Sequence, residues 1–285
     1  MKAKALYADI RERLKSAGIA EAENEALIFL ETYLGITRSD IILDEEKEPE
    51  AESLNALGSA LSRREKREPL QYITNNAPFM GLDFYVDERV LIPRPDTELL
   101  VEEALKDLHG GSRILDICTG SGCILISLLK YSNDCMGVGT DLSEGALEVA
   151  KKNAGEILGD NDRIRFFKGD LFEALEGTGS KFEVIVSNPP YIASGEIPNL
   201  MPEVKDHEPG MALDGKENGL FFYERIIPKA KEYLTVGGTL FLETGYDQGP
   251  AVAGLMENEG YIEIKVLKDY SGNDRVVTGV RSVKG

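Results

Sequence analysis

The residues best suited to chemistry are Asn188-Pro189-Pro190-Tyr191, which follow the apolar run Val184-Ile185-Val186-Ser187. The Asn188 side chain offers a carbonyl oxygen as acceptor, and the Pro189 carbonyl offers a second. Two acceptors aimed at the hydrogens of a planar NH2 group address a specific difficulty. An amide or aryl amine nitrogen has its lone pair delocalised into a π system, so it is a poor nucleophile. Preorganised acceptors stabilise the charge that builds on that nitrogen as it attacks an alkyl donor. The prolines stiffen the loop and remove N–H donors that would compete for position. Tyr191 supplies a flat face for stacking. The predicted chemistry is methyl transfer to a planar nitrogen, aided by in-line alignment. It needs no metal, no covalent intermediate and no strong general base. By itself the tetrapeptide leaves amide and nucleobase acceptors equally open.

A donor site is written upstream. Asp116-Ile117-Cys118-Thr119-Gly120-Ser121-Gly122 joins an apolar strand to a helical stretch. Glycines there let a ligand approach the backbone and expose helix N-terminal N–H groups. Asp141, about 20 residues on, can accept from the two hydroxyls of a ribose. A dinucleotide-binding reading requires a third glycine at position 125, which is Leu125. An S-adenosylmethionine site has no pyrophosphate to cradle, and it uses an acid for the ribose and often one near the end of the first strand, here Asp116. Asp170 can accept from an adenine amino group, with Leu171 offering its N–H and an apolar face. A turn with a helix cap is the plainer account of Asp170 and Leu171 taken alone; their place after two such strand ends favours adenine contact.

These residues need a scaffold of alternating strands and helices. Strands are expected at Arg113–Ile117, Met136–Thr140, Ile164–Phe167, Glu183–Ser187, Thr239–Glu243, Ile262–Leu267 and Arg275–Val280. Helices fall between them at Ile124–Leu129, Gly145–Ala154 and Phe221–Tyr233. This alternation predicts a doubly wound, Rossmann-like α/β sheet, and the S-adenosylmethionine reading of its strand ends makes it one of the class I methyltransferase type. Before it, Leu6, Ile10 and Leu14 share a helical face, as do Leu27, Leu30 and Leu34, and Leu54, Leu57 and Leu61. Gly18 and Gly35 stand where helices would end, and the charged run Asp44–Glu50 reads as a solvated connection. The expected domains are a helical bundle over 1–75 that docks substrate, a β hinge over 76–92 with a short β segment at Phe79–Val86, and a catalytic domain over 93–285. Pro93 and Pro95 argue against helix in Val90–Glu98, with Asp96 or Thr97 capping the helix that follows.

The net charge of −18 opposes general binding of phosphate backbones, although plain solubility explains it equally well. Three cysteines without a Cys-x-x-Cys spacing argue against a disulfide framework or a zinc site. Two histidines, His109 and His207, are too few for a histidine cluster. No apolar run reaches the roughly 20 residues that span a bilayer, and Met1–Ile10 lacks an apolar signal-peptide core, so the cytoplasm is the expected location.

Several motifs in order carry a family resemblance. Pro69-Leu70-Gln71-Tyr72-Ile73, Leu91-Ile92-Pro93-Arg94-Pro95-Asp96-Thr97-Glu98, the loop Cys118–Gly122, and Asn188–Tyr191 come first. Glu208-Pro209 to Leu213, Gly219-Leu220, Glu243–Gly249 and Asp269–Arg275 follow. Together they resemble the PrmC (HemK) family of peptide chain release factor glutamine N5-methyltransferases over nearly the whole chain. Cys118 departs from the pattern, standing where glycine is common. The resemblance implies S-adenosyl-L-methionine as cofactor, contacted by Arg94, Thr97, Cys118, Thr119, Gly120, Ser121, Gly122, Asp141, Asp170, Leu171 and Asn188. It implies the glutamine of the Gly-Gly-Gln loop of a class 1 release factor as substrate, bound by Asn188–Tyr191. The alternative is a nucleic-acid methyltransferase acting on adenine N6 or guanine N2, which would flip its base and grip the backbone with basic residues. A third reading is a non-catalytic nucleotide-binding or adaptor domain, opposed by the intact tetrapeptide. His207 and Glu208 are read as structural capping in a long loop or as part of a closing segment.

Overall fold

A computed structural model describes residues 2–159 and 162–283; Met1 and residues 284–285, the ends of the expected domains, lie outside the described residues. The chain divides into two compact units, Met1–Asn75 with Met201–His207, and Asn76–Leu200 with Glu208–Gly285. Seven residues of the expected catalytic region therefore group with the helical one. Among the described residues no helix is long and apolar enough to cross a membrane.

The first unit holds α1 (Ala3–Ser16), α2 (Ala22–Leu34), α3 (Arg38–Leu43), α4 (Ala51–Arg64) and α5 (Leu70–Thr74). Leu6, Ile10 and Leu14 of α1 pack with Phe29 and Leu30 of α2 and with Leu57 and Leu61 of α4. Leu27, Leu34 and Leu54 are only partly buried. Gly35 ends α2 at φ 62, a left-handed conformation that costs glycine nothing. Thr37 and Asp40 form a reciprocal capping box at the start of α3. The segment Met201–His207 joins this unit by charge. Buried Arg64 donates to Glu25 Oε2 at 2.7 Å and to Glu203 Oε1 at 3.1 Å, and Arg67 Nη2 donates to Glu203 Oε2 at 2.8 Å. A buried guanidinium with carboxylates on both sides avoids the cost of an unpaired charge.

In the second unit the expected segment Phe79–Val86 is a hairpin of β1 (Ala77–Phe79) and β2 (Leu82–Phe84). Its turn residues Met80 and Gly81 have φ of 51 and 69, the two positive values that a type I′ turn needs. After a 3-10 turn over Pro95–Thr97 come α6 (Glu98–Lys106), β3 (Arg113–Ile117), α7 (Cys123–Tyr131), β4 (Met136–Asp141), α8 (Glu144–Leu158), β5 (Ile164–Lys168) and β6 (Phe182–Ser187). Pro95 starts that turn, where its missing N–H is no loss. Then follow the one-turn α9 (Pro202–Lys205, in the first unit), α10 (Phe221–Tyr233), β7 (Leu234–Glu243), α11 (Gly249–Asn258), β8 (Ile262–Lys268) and β9 (Asp274–Val280).

The seven strands form one sheet in the order β5-β4-β3-β6-β7-β9-β8, parallel from β5 to β7, with β9 antiparallel to β7 and β8. Helices cover both faces, so β3 and β6 are buried at nearly every position. The chain leaves β3 towards β4 and β5 and then returns to β6 on the other side. The switch point between β3 and β6 is where such sheets bind ligands, beyond the strands' carboxyl ends. Leu125, where a dinucleotide fold would have glycine, is fully buried in α7. Its Cδ1 lies 2.7 Å from where a Cβ at Gly137 would stand, so the close helix–strand approach is provided by a glycine on β4 instead.

Candidate active site

The carboxyl ends of β3, β4 and β6 open onto a cleft of about 970 Å³ that includes open solvent. Of the residues singled out in the sequence, Arg94, Thr97, Cys118, Thr119, Gly120, Ser121, Asp141, Asp170, Leu171, Asn188 and Pro190 line it. Asp116, Gly122, Pro189 and Tyr191 do not. Gly122 has φ 80 and caps α7, and a Cβ there would meet Ile126 Cδ1 at 2.8 Å and Ala150 Cβ at 3.2 Å. Its contribution is the packing of α7 on α8.

The loop after β3 is built to present backbone. Cys118 has φ 60, a left-handed value that explains why glycine is usual there. The Thr119 hydroxyl donates to Asp116 Oδ2 at 2.6 Å, and its N–H donates to the Thr140 carbonyl at 3.1 Å. Asp141 Oδ2 accepts from the Gly120 N–H at 2.9 Å and Oδ1 from the Ser143 N–H at 2.8 Å. A carboxylate has about four lone-pair sites, so capacity for ribose hydroxyls remains. Burial raises the Asp141 carboxyl, and it pushes fully buried Asp116 up to about 7. Asp116 Oδ1 is buried without a hydrogen-bond partner in the structure, an acceptor of the kind that an amino group of the methyl donor needs. Asp170 Oδ2 accepts from Arg225 Nη2 at 2.6 Å, which orients the carboxyl at the end of β5. Leu171 has φ 53, and its carbonyl accepts from the Thr140 hydroxyl.

The tetrapeptide is supported from several sides. Ser187 Oγ donates to the Ile117 carbonyl at 2.6 Å, locking β6 to β3 just before Asn188. Asn188 Nδ2 donates to Thr97 Oγ1 at 3.3 Å. Thr97 makes no side-chain cap on α6, and neither does Asp96, contrary to expectation. The Thr97 hydroxyl faces the tetrapeptide instead, and Asp96 pairs with Arg275 at 3.1 Å. The Tyr191 hydroxyl donates to Glu243 Oε1 at 3.4 Å, and burial pushes the phenol's pKa up, keeping it neutral. Behind the loop, the Tyr191 carbonyl accepts from Gln248 Nε2 at 2.9 Å. The Ile192 N–H donates to the Leu213 carbonyl, and the Gly215 N–H donates to the Ile192 carbonyl.

Three supporting residues carried no role from sequence reasoning, and a fourth, Glu208, was read only as loop capping or part of a closing segment. Gly215 and Gly219 pack on the Tyr191 backbone, where a Cβ would come within 2.7 Å of Tyr191 Cα and 2.3 Å of its carbonyl oxygen respectively. Glu208, read as loop capping, is buried: it accepts from the Ile92 N–H at 3.3 Å and pairs closely with Arg94 Nη2. Glu243, at the end of β7, is fully buried and pushed up to about 7 by desolvation. Glu208, Gly219 and Glu243 had as sequence signal only their membership of motifs downstream of the tetrapeptide, and Gly215 had none. His207 falls in the helical unit.

The sheet order and the strand-end cleft define a Rossmann-like class I methyltransferase. Residues 95–203 match the family described as methyltransferase small domain, and residues 5–74 match the PrmC N-terminal domain. The crystal structure of a methyltransferase from Pyrococcus furiosus shares the fold with a TM-score of 0.53 at 22% identity, covering 72% of this chain and 91% of that one. A release factor glutamine methyltransferase of Clostridium acetobutylicum is 43% identical over 90% of both chains. Another, of Geobacter sulfurreducens, is 42% identical over 94% of this chain and 93% of its own. The chain belongs to the release factor glutamine methyltransferase family.

Proposed function

We propose that this enzyme transfers the methyl group of S-adenosylmethionine to the side-chain amide nitrogen, N5, of the glutamine in the Gly-Gly-Gln loop of a class 1 peptide chain release factor. The observation that carries the reading is the placement of Asn188 and Pro190 in the wall of the strand-end cleft, in a chain with these relatives. Asp141 would hold the ribose, Asp170 and Leu171 the adenine, and Asp116 with the Cys118–Ser121 backbone the methionine moiety. The bound donor supplies a methyl group activated by its sulfonium.

Asn188 Oδ1 and the Pro189 carbonyl accept from the two amide hydrogens and stabilise the charge that develops on nitrogen. Tyr191 flanks the planar group. The new C–N bond forms as the S–C bond breaks, and the amide proton leaves to solvent afterwards. Two glycines before the target residue suit entry into the cleft, since they let an extended loop enter without side chains.

Mass spectrometry of a purified class 1 release factor, incubated with this protein and the donor, tests the reading. One added methyl on the Gly-Gly-Gln glutamine is expected. Transfer to DNA or RNA, with none to the release factor, would overturn it.

A further inference from the structure

Asp170 and Leu171 stand just beyond β5 in the wall of the cleft, and residues of two other elements hold them in place. Arg225 of α10 donates from Nη2 to Asp170 Oδ2 at 2.6 Å, while Oδ1 has no hydrogen-bond partner among the described residues. The guanidinium lies 5.3 Å from the centre of the Phe221 ring, four residues earlier on the same helix face. Phe221 in turn meets Phe222 edge-on, and Phe222 lines the cleft. The Arg225 and Asp170 side chains are 37% and 32% exposed, and a pair so open to water adds little to stability. Its effect is directional: a charge-assisted bond this short fixes the rotamer of the carboxylate.

Leu171 is held from the other side. Its φ of 53 puts a non-glycine residue in the left-handed region, a conformation that persists only where neighbours hold it. Thr140, fully buried near the end of β4, donates from its hydroxyl to the Leu171 carbonyl at 3.0 Å. The Thr140 carbonyl accepts from the Thr119 N–H at 3.1 Å, so one residue ties the Leu171 peptide to the loop after β3.

We propose that Arg225 and Thr140 are positioning residues that set the purine selectivity of the donor site. The inference rests on the adenine contact given to Asp170 and Leu171 above. Arg225 holds the Asp170 carboxylate so that Oδ1 accepts from a 6-amino group. Thr140 holds the Leu171 peptide so that its N–H donates to the ring nitrogen N1. A 6-amino purine offers this pair a donor at position 6 and an acceptor at N1. A 6-oxo purine offers the reverse, an acceptor at O6 and a donor at N1. Both contacts then set like against like, and an ionised carboxylate can only accept. The penalty lasts only while neither group can turn away. Without its holder, Asp170 is free to swing into solvent and the Leu171 peptide is free to relax. The ribose and methionine ends would still bind, but the base would be read poorly.

The test is calorimetric binding of S-adenosylhomocysteine, the demethylated form of the donor, and of its deaminated 6-oxo analogue. The proteins compared are wild type, Arg225→Gln, Thr140→Val, Thr140→Ser and Asp170→Ala. Wild type should bind the 6-amino ligand at least about 10²-fold more tightly, because a site built to pair a polar group rejects the analogue that cannot pair. In Arg225→Gln and Thr140→Val the 6-amino ligand should weaken about 10-fold while the 6-oxo ligand stays within about twofold, so selectivity falls about 10-fold. Thr140→Ser keeps the hydroxyl and should keep the wild-type ratio; a loss equal to that of Thr140→Val would overturn the role of the hydroxyl. A residue that merely supported the cleft would weaken both ligands alike. An unchanged ratio in Arg225→Gln or in Thr140→Val therefore overturns the role given to that residue. Thermal unfolding checks each variant, and half-exposed Arg225 keeps the test decisive where Thr140→Val does not fold. A lowered ratio in Asp170→Ala alone overturns the positioning and leaves the adenine contact standing. An unchanged ratio in Asp170→Ala overturns both.

Discussion

Gly219→Ala probes how far the catalytic loop depends on what lies behind it. Gly219 has φ 74, and an added Cβ would stand 2.3 Å from the Tyr191 carbonyl oxygen and 2.4 Å from Gln248 Nε2. The second contact is with the end of a flexible side chain and can relax by rotation. The first is with backbone and cannot. Real contacts of this kind are at least 3.0 Å, so the Tyr191 peptide must retreat by about 0.7 Å (3.0 minus 2.3). A displacement of about 1 Å at a reacting group costs about 10²-fold in rate, so this one should lower kcat by roughly 10- to 10²-fold. The left-handed backbone adds about 1–2 kcal/mol of strain, or a fall in Tm of several degrees. Gly219 does not line the cleft, so donor affinity should be unchanged. Gly210→Ala, in the same loop with nothing within 4 Å of its Cβ, is the control and should behave as wild type. Methylation kinetics, donor titration by calorimetry and thermal unfolding measure the three quantities. Wild-type kcat in Gly219→Ala, or a loss of donor affinity parallel to the loss of rate, would refute the argument.

Asn188→Ala removes one preorganised acceptor and should cut turnover by about 10²-fold or more with donor affinity largely retained; near-wild-type turnover would contradict the role. Asp141→Ala removes both the ribose acceptor and the anchor of the Gly120 and Ser143 N–H groups, so donor binding should weaken at least about 10-fold, and calorimetry finding unchanged affinity would refute the assignment. Glu208→Ala leaves Arg94 and the Ile92 N–H unpaired in the wall of the cleft, so the KM for the donor should rise with a smaller change in kcat, whereas unchanged kinetics would show that the pair is not needed. Glu243 and Asp116, each pushed up to about 7, hold protons more tightly folded than unfolded. Their contribution to stability is complete below about pH 4 and is lost as pH rises through about 7. The loss approaches about 3 kcal/mol per group, so denaturant titration at pH 5.5 and 8.5 should show stability falling, and Glu243→Gln should flatten the slope.

Much of the fold was legible in the sequence because it is written in local periodicity. Parallel strands buried on both faces read as apolar runs, and α10 over Phe221–Tyr233 and β3 over Arg113–Ile117 match their expected bounds. The hairpin at 77–84 was blurred into one segment because its turn, Met80-Gly81, lacks the usual Asn-Gly or Asp-Gly signal.

The cleft's acids and the tetrapeptide were equally visible, since strand ends converge in this architecture and a residue's place after a strand fixes its side of the sheet. What only tertiary structure decided is the support. Thr97 and Asn188 are 91 residues apart along the chain, Tyr191 and Glu243 are 52 apart, and Gly219 is 28 residues beyond Tyr191. Such neighbours leave no periodic or spacing signal. Their meeting is set by which strands pair and how the loops between them fold back, so the loop that does the chemistry was readable from four residues, while the orientation of its amide was not.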